Sequence, residues 1–272
     1  NVRNFTSRRL TFGCDAYIIV LLKGSFRTQA DRHAAQNFRP RRMIAGNVLR
    51  ERDMRKTKKR LNENFIDRPI AHRGLHSDTV CENSMEAFRL AIEKGYPIEI
   101  DVHLTKDGDL AVIHDSLLSR MTGKGGIVES LTSGQLKEYR LKDGQHIPML
   151  REVLELVDGR VPLLIEIKFR RAFNEKQGEV LLEQLESYPY KDMVAMQSFH
   201  PKIVRWLKAH SKDYAVGYLS SYNLLKNHGF ISYVLRTLKL FKWYMHADFI
   251  SYDIAYLPNR YVTKQRKHGV QV

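Results

Sequence analysis

A chain of 272 residues, 43% hydrophobic with 8 prolines, has room for one large domain or two small ones around a sizeable core. Its formal charge of +15 is uneven: residues 1–60 hold 16 Lys and Arg against 4 Asp and Glu, which leaves 29 against 26 for the remainder. Basicity confined to one arm argues against a dedicated reader of nucleic acid, and two cysteines, Cys14 and Cys81, exclude a disulfide framework and suit a reducing, cytoplasmic setting.

Residues 1–66 read as a basic N-terminal segment, poorly structured or accessory. Within it residues 1–42, ahead of Met43, show no periodicity and read as upstream sequence. The early apolar run Ala16–Leu22 is far short of the roughly 20 residues a membrane-crossing helix needs, and no small-residue cleavage site follows it.

Residues 67–272 are expected to form a second, folded domain, in which short apolar strands alternate with amphipathic helices. Pro69–Arg73 is strand-like and Gly74 breaks it. Ser84–Lys94 places Met85, Phe88, Ala91 and Ile92 at helical spacing, and Gly95 ends it. The strand Pro97–Leu104, a turn at Lys106-Asp107-Gly108 and the strand Leu110–His114 follow. Leu131–Tyr139 and Leu150–Val157 read as helices. Leu163–Lys168 is a strand, Glu175–Tyr188 a helix, Met193–Phe199 a strand and Pro201–Ala209 a helix. Tyr214–Leu219 and Asp248–Tyr252 are strands with helical sequence between them. Asn259–Lys267 is a last helix, and Val270–Val272 starts a strand that the chain end cuts short. Parallel neighbours need crossover connections, so this alternation predicts an α/β fold, a slightly irregular (β/α)8 barrel of TIM type, with an open doubly wound sheet as the runner-up.

One strand carries charges that a covered strand should not. In Pro97–Leu104, side chains alternate faces, so Ile98, Ile100, Val102 and Leu104 share one face and Glu99, Asp101 and His103 the other. A parallel strand under helices has no solvent face. The apolar set must meet the helices, which sends the carboxylates inward. Leu163–Lys168 repeats the pattern, with Leu164, Glu166 and Lys168 opposite Leu163, Ile165 and Ile167. Three carboxylates converging on one interior repel one another and lose solvation. Either a hard divalent cation gathers them, or Arg73 and Lys168 pair with them as structural salt bridges.

His72 and His114 end two of the strands. A tight two-residue turn at Asp107-Gly108 would set His114 directly opposite Asp101, beside those acids.

Taken as a set, Ala71-His72-Arg73-Gly74, Glu82-Asn83-Ser84, Ile98–Val102, Thr105–Gly108 with Val112–Asp115, and Glu166-Ile167-Lys168 resemble the glycerophosphodiester phosphodiesterase family from about Arg68 to the C-terminus. The resemblance implies a TIM-type barrel, one divalent cation, Mg²⁺ or Ca²⁺, on Glu99, Asp101 and Glu166, and His72 and His114 as general acid and base. It implies phosphate or metal-site contacts for Arg73 and Lys168. Glu82 and Asn83 fall on its Glu-Asn motif, where they would support or orient the substrate, unless they cap the helix that follows. It implies a small glycerophosphodiester substrate, yielding sn-glycerol 3-phosphate and an alcohol such as choline or ethanolamine. The family continues its last strand into an aromatic-rich segment where this chain stops at Val272, so an incomplete eighth strand is expected. Two other readings share these residues. One is a lysophospholipase D-like enzyme drawn to membranes by weak contact through the basic arm. The other is a non-catalytic barrel that binds phosphorylated ligands or nucleic acid.

Overall fold

Residues 18–19, 59–170, 174–220, 244–253, 255, 257–258 and 260–272 are described by the structure, a computed structural model. Strands are β1 (Ile18–Ile19), β2 (Ile70–His72), β3 (Ile98–Leu104), β4 (Leu110–Val112), β5 (Leu163–Ile167), β6 (Val194–Ser198), β7 (Ala215–Ser220) and β8 (Phe249–Tyr252). The longer helices are α1 (Met85–Glu93), α2 (Leu150–Val157), α3 (Glu175–Glu186), α4 (Pro201–His210) and α5 (Arg260–Lys267). The helical sequence expected between Ser220 and Ala247 lies outside the described residues, apart from a short helical piece at Tyr244 and Met245.

Strands β2-β3-β5-β6-β7-β8 run parallel in that order, forming one curled sheet. Gln271 adds the start of a further parallel strand beside Phe249, with Ile250 N donating to its carbonyl at 2.9 Å. The result is an incomplete (β/α) barrel. At the other edge β1 pairs antiparallel with β2, Ile18 opposite Ala71, so two residues of the basic arm cover backbone groups that would otherwise be open.

The two faces of the sheet divide as alternation requires. Ile98, Ile100, Val102, Leu163, Ile165, Ile167, Met196 and Val216 join Phe88, Val153, Leu181 and Val204 of the helices in the main core. Inside the curl, Leu164, Ala195, Ala215 and Phe249 pack with Ile70 and with Leu61 and Phe65 from the segment ahead of β2, which plug the lower end. Phe249 fits because Gly217 faces it: a Cβ there would stand 2.2 Å from the ring. Above that plug the interior turns polar.

Local chemistry sets the ends. Ser84 caps α1, its Oγ accepting from Ala87 N at 3.2 Å, and Pro201 occupies the first turn of α4. The excursion between β4 and α2 departs from expectation, since Leu131–Tyr139 forms only the single turn Ser133–Leu136. A capping box between Thr132 and Gln135 starts that turn, but Leu131, Leu136, Tyr139 and Leu141 pack with Ile113, Leu118 and Met121 in a separate cluster, a role that does not need a continuous helix.

The β3–β4 hairpin also departs from its predicted register. Val102 faces Val112 and Leu104 faces Leu110, so Asp101 is level with Ile113, not His114. The loop is one residue longer than a two-residue turn: Thr105 N donates to Asp109 O at 2.9 Å and Gly108, at φ +84°, takes the left-handed position. Asp107 is held away from a tight turn because its carboxylate accepts from Thr105 Oγ1 at 2.6 Å and Ser133 Oγ at 2.8 Å. Asp101 O and Pro97 O, both at odd-numbered positions, face the same edge of β3 and accept from Ile113 N and Ala71 N. Hence β4 continues along the edge that β2 vacates.

Candidate active site

Neighbouring strands bring the carboxylates together. Asp101 stands in register with Glu166, and Glu99 lies one interior position below Asp101. One oxygen of each residue falls within 4.8 Å of the other two, and the three residues are 0%, 0% and 4% exposed. Burial, followed by repulsion from Asp101 and Glu166, holds the Glu99 carboxyl well above its ordinary range. Burial likewise pushes Glu166 up to about 7, against the pull of Lys168. Asp101 is also buried, but Lys168 and Arg73 outweigh that and hold it at about 2. Lys168 Nζ stands 3.0 Å from Asp101 Oδ1 and 2.6 Å from Glu166 Oε1. Both partners named for the salt-bridge alternative are therefore present, yet Glu99 Oε1 has no hydrogen-bond donor among the described residues. Two cations do not satisfy three buried carboxylates. This all-oxygen set fits one hard divalent cation.

His72, Arg73 and Gly74 form the turn at the top of β2. Arg73 and Gly74 both have left-handed backbone, φ +59° and +83°, which bends the chain sharply over the sheet end. Gly74 also lies against α1, where a Cβ would come within 2.8 Å of Ala87 Cβ. In this turn Arg73 N donates to Glu99 Oε2 at 3.2 Å, and Arg73 Nε is 3.2 Å from Asp101 Oδ2. His72 Nε2 lies 4.0 Å from Glu99 Oε2. Burial, then the Arg73 charge, lowers the His72 imidazole to about 4. Asn83, buried and at φ +52°, donates from Nδ2 to Asp101 Oδ2 at 2.8 Å. Glu82 accepts from Arg73 Nη1 at 2.9 Å. Neither caps α1, a task that Ser84 performs.

His114 stands just past β4, where the chain has left the strand. Its Nδ1 is 2.6 Å from Asp115 Oδ1. Burial, then Lys168, lowers its pKa while Asp101 and Asp115 resist. These influences place the ring near the carboxylates despite the altered register. His103 supplies the reason: fully inward and 3% exposed, it spans Glu129 Oε1 at 2.9 Å and the His114 carbonyl at 3.0 Å. It clamps the backbone at the point of departure. Ser116 Oγ donates to the other Glu129 oxygen, fixing that side as well.

Arg120 was not foreseen from sequence. From the one-turn helix Ser119–Thr122 it pairs with Asp115 through Nε and with Glu82 Oε1 at 2.6 Å through Nη2. One guanidinium thus links the carboxylate behind His114 to the carboxylate behind Arg73. The sequence carried part of this signal, since Asp115 directly follows His114. Arg120 stands on no strand face, and spacing alone could not have found it.

A model described as the glycerophosphoryl diester phosphodiesterase family matches residues 72–272. A glycerophosphodiester phosphodiesterase of Bacillus altitudinis is 41% identical over 141 residues, 48% of this chain and 57% of that protein. One of Caldanaerobacter subterraneus is 35% identical over 166 residues, 58% of this chain and 68% of that protein. Among solved structures, a phosphodiesterase of Oleispira antarctica in complex with the product sn-glycerol-3-phosphate superposes with a TM-score of 0.62 at 24% identity, covering 74% of this chain and 81% of that one. That likeness shows a shared barrel fold.

Proposed function

We propose that this chain, which belongs to the glycerophosphoryl diester phosphodiesterase family, hydrolyses glycerophosphodiesters to sn-glycerol 3-phosphate and an alcohol, using a divalent cation, Mg²⁺ or Ca²⁺, on Glu99, Asp101 and Glu166. The observation that carries the reading is the buried carboxylate trio with two histidines and two basic side chains around it. A bound cation would stabilise negative charge growing on a non-bridging phosphoryl oxygen. Arg73, a planar fork of donors, and Lys168 bind the same group from the protein side. One of His72 and His114 takes a proton from the attacking oxygen, and the other gives one to the departing alkoxide. Both rings are biased toward the neutral form, which suits the one that acts as base, while the acid must gain its proton before the alkoxide leaves. Asp115 accepts from His114 Nδ1 and so leaves Nε2 available to the substrate. Asn83 holds Asp101 in place, and Glu82 holds Arg73.

Turnover of glycerophosphocholine, followed by release of glycerol 3-phosphate, tests this. Activity should vanish in EDTA and return with Mg²⁺ or Ca²⁺; full activity in EDTA would refute the cation, and no activity with either metal would refute the hydrolase. A second reading takes a lysophospholipid as substrate. It is favoured by two apolar side chains at the rim, Leu117 beyond His114 and Phe169 beyond Lys168, which are 56% and 38% exposed. Faster turnover of lysophosphatidylcholine than of glycerophosphocholine would select it.

A further inference from the structure

The interior above the plug has two unlike walls. On the β2–β5 side it is charged, with the carboxylate trio, Arg73 and Lys168 packed together. On the β6–β8 side the inward strand positions level with and above Glu166 are Gln197, Gly217, Phe249, Leu219 and Ser251, all neutral. Gln197 is wholly buried and pairs in register with Glu166, so it shares the inward face directly beside a member of the trio. Its Oε1 accepts from Ser251 Oγ at 2.7 Å. That bond joins β6 to β8 across β7, and Gly217, the β7 residue in register with Gln197, has no side chain to obstruct it. The other end of the amide, Nε2, has no hydrogen-bond partner among the described residues. A buried donor held in one orientation and unmet by its described neighbours costs free energy unless a ligand supplies the acceptor.

We propose that Gln197, steadied by Ser251, binds a hydroxyl of the glycerol moiety and so selects glycerophosphodiesters over other phosphodiesters. The inference rests on the hydrolase reading above. The phosphoryl charge is met by Arg73 and Lys168 on the β2–β5 side, which leaves a neutral diol to be recognised on the β6–β8 side. A neutral amide is a poor partner for a metal through its N–H end but a good one for an alcohol. The chemistry also tolerates either orientation of the amide. The Ser251 hydroxyl can pair with the oxygen or the nitrogen end, and a substrate hydroxyl, which both donates and accepts, can meet whichever end remains. A phosphoryl oxygen only accepts and lacks that freedom.

Calorimetry on the metal-loaded protein separates the two halves of the ligand. Gln197→Leu should weaken binding of glycerol 3-phosphate by about 10- to 100-fold, the usual loss when a buried hydrogen-bond partner is removed, and leave inorganic phosphate within about twofold. Ser251→Ala, which frees the amide without removing it, should weaken glycerol 3-phosphate alone by a smaller factor, and serves as the second variant if the leucine protein does not fold. Equal weakening of both ligands would place the amide at the phosphate or the metal and overturn the proposal. So would unchanged binding of both, which would make it a packing residue. Failure of the underlying reading looks different: the wild-type protein would not turn over glycerophosphocholine, whatever the binding ratios.

Discussion

Glu166 should make the metal-free protein less stable as pH rises, opposite to the behaviour of a carboxylate in a favourable salt bridge. Burial raises its carboxyl from the ordinary 4.5 to about 7. A folded-state pKa above the unfolded one contributes stability that is fully present below the unfolded value and is lost as pH climbs through the folded value. At ~1.4 kcal/mol per tenfold change in proton affinity, the loss amounts to about 3 kcal/mol between pH 4.5 and pH 8. For a chain of this size that corresponds to roughly 6–12 °C in Tm. His72 and His114 act in the other direction, because their pKa values are lowered and their contribution grows with pH up to about 6.5. Comparison with Glu166→Gln cancels the histidine part. In EDTA, thermal melts from pH 5 to pH 8 should show the wild type losing Tm relative to the glutamine variant. Mg²⁺ or Ca²⁺ at pH 8 should restore the wild type far more than the variant. A wild-type minus variant difference that stays flat, or grows with pH, would refute the account of a destabilised acid that awaits a cation.

Alanine at His72 or His114 should cut glycerophosphocholine turnover by at least ~100-fold without changing the circular dichroism spectrum, and a near-normal rate in either variant would remove that residue from the proton relay. Asp115→Asn should lower kcat by about 10-fold with KM little changed, from the usual cost of weakening one aligned hydrogen bond. Because the Asp115 hydrogen bond raises the His114 pKa, the His114 limb of the pH–rate profile should move to lower pH in that variant. Gly74→Ala should destabilise the fold by about 2–4 kcal/mol, since the new methyl meets Ala87 Cβ at 2.8 Å on a backbone at φ +83°, and a melt within 2 °C or so of wild type would count against it.

Strand alternation revealed more of the site than of the fold around it. Glu99 and Asp101 on a strand flanked by Ile98, Ile100 and Val102 could face only the interior, and Glu166 followed by the same logic; all three are buried there together. Strands β2 to β8 and the helices at Ser84–Lys94, Leu150–Val157 and Pro201–Ala209 were equally legible, because each buries an apolar face in the core, whereas β1 lies in the basic arm that shows no periodicity. The excursion after β4 was not, because its apolar residues serve a local cluster with no periodic face. The hairpin register failed for a nameable reason: Asp107, which reads as a turn residue, spends its carboxylate on Thr105 and Ser133. His103 shows the limit of face arguments. Alternation put it correctly inside with the acids, but its partners, Glu129 and the His114 carbonyl, are contacts that only the tertiary fold creates.

The charge balance suggests why both cations are needed at the site. With all three acids ionised, Glu99, Asp101 and Glu166 carry three negative charges against the two positive charges of Arg73 and Lys168. Without a metal that excess of one is unfavourable in a buried site, and the raised Glu99 and Glu166 carboxyls express it. A divalent cation would reverse the sign and leave the cluster with one net positive charge, a match for the singly charged phosphodiester proposed as substrate. Lys168 bridges Asp101 and Glu166. Were those carboxylates to hold a metal, the Lys168 ammonium would become available to a phosphate group. Replacing it with Met would therefore weaken metal and substrate binding together, whereas replacing Arg73, which reaches Asp101 but also leans on Glu82 at the rim, should affect the substrate more than the metal.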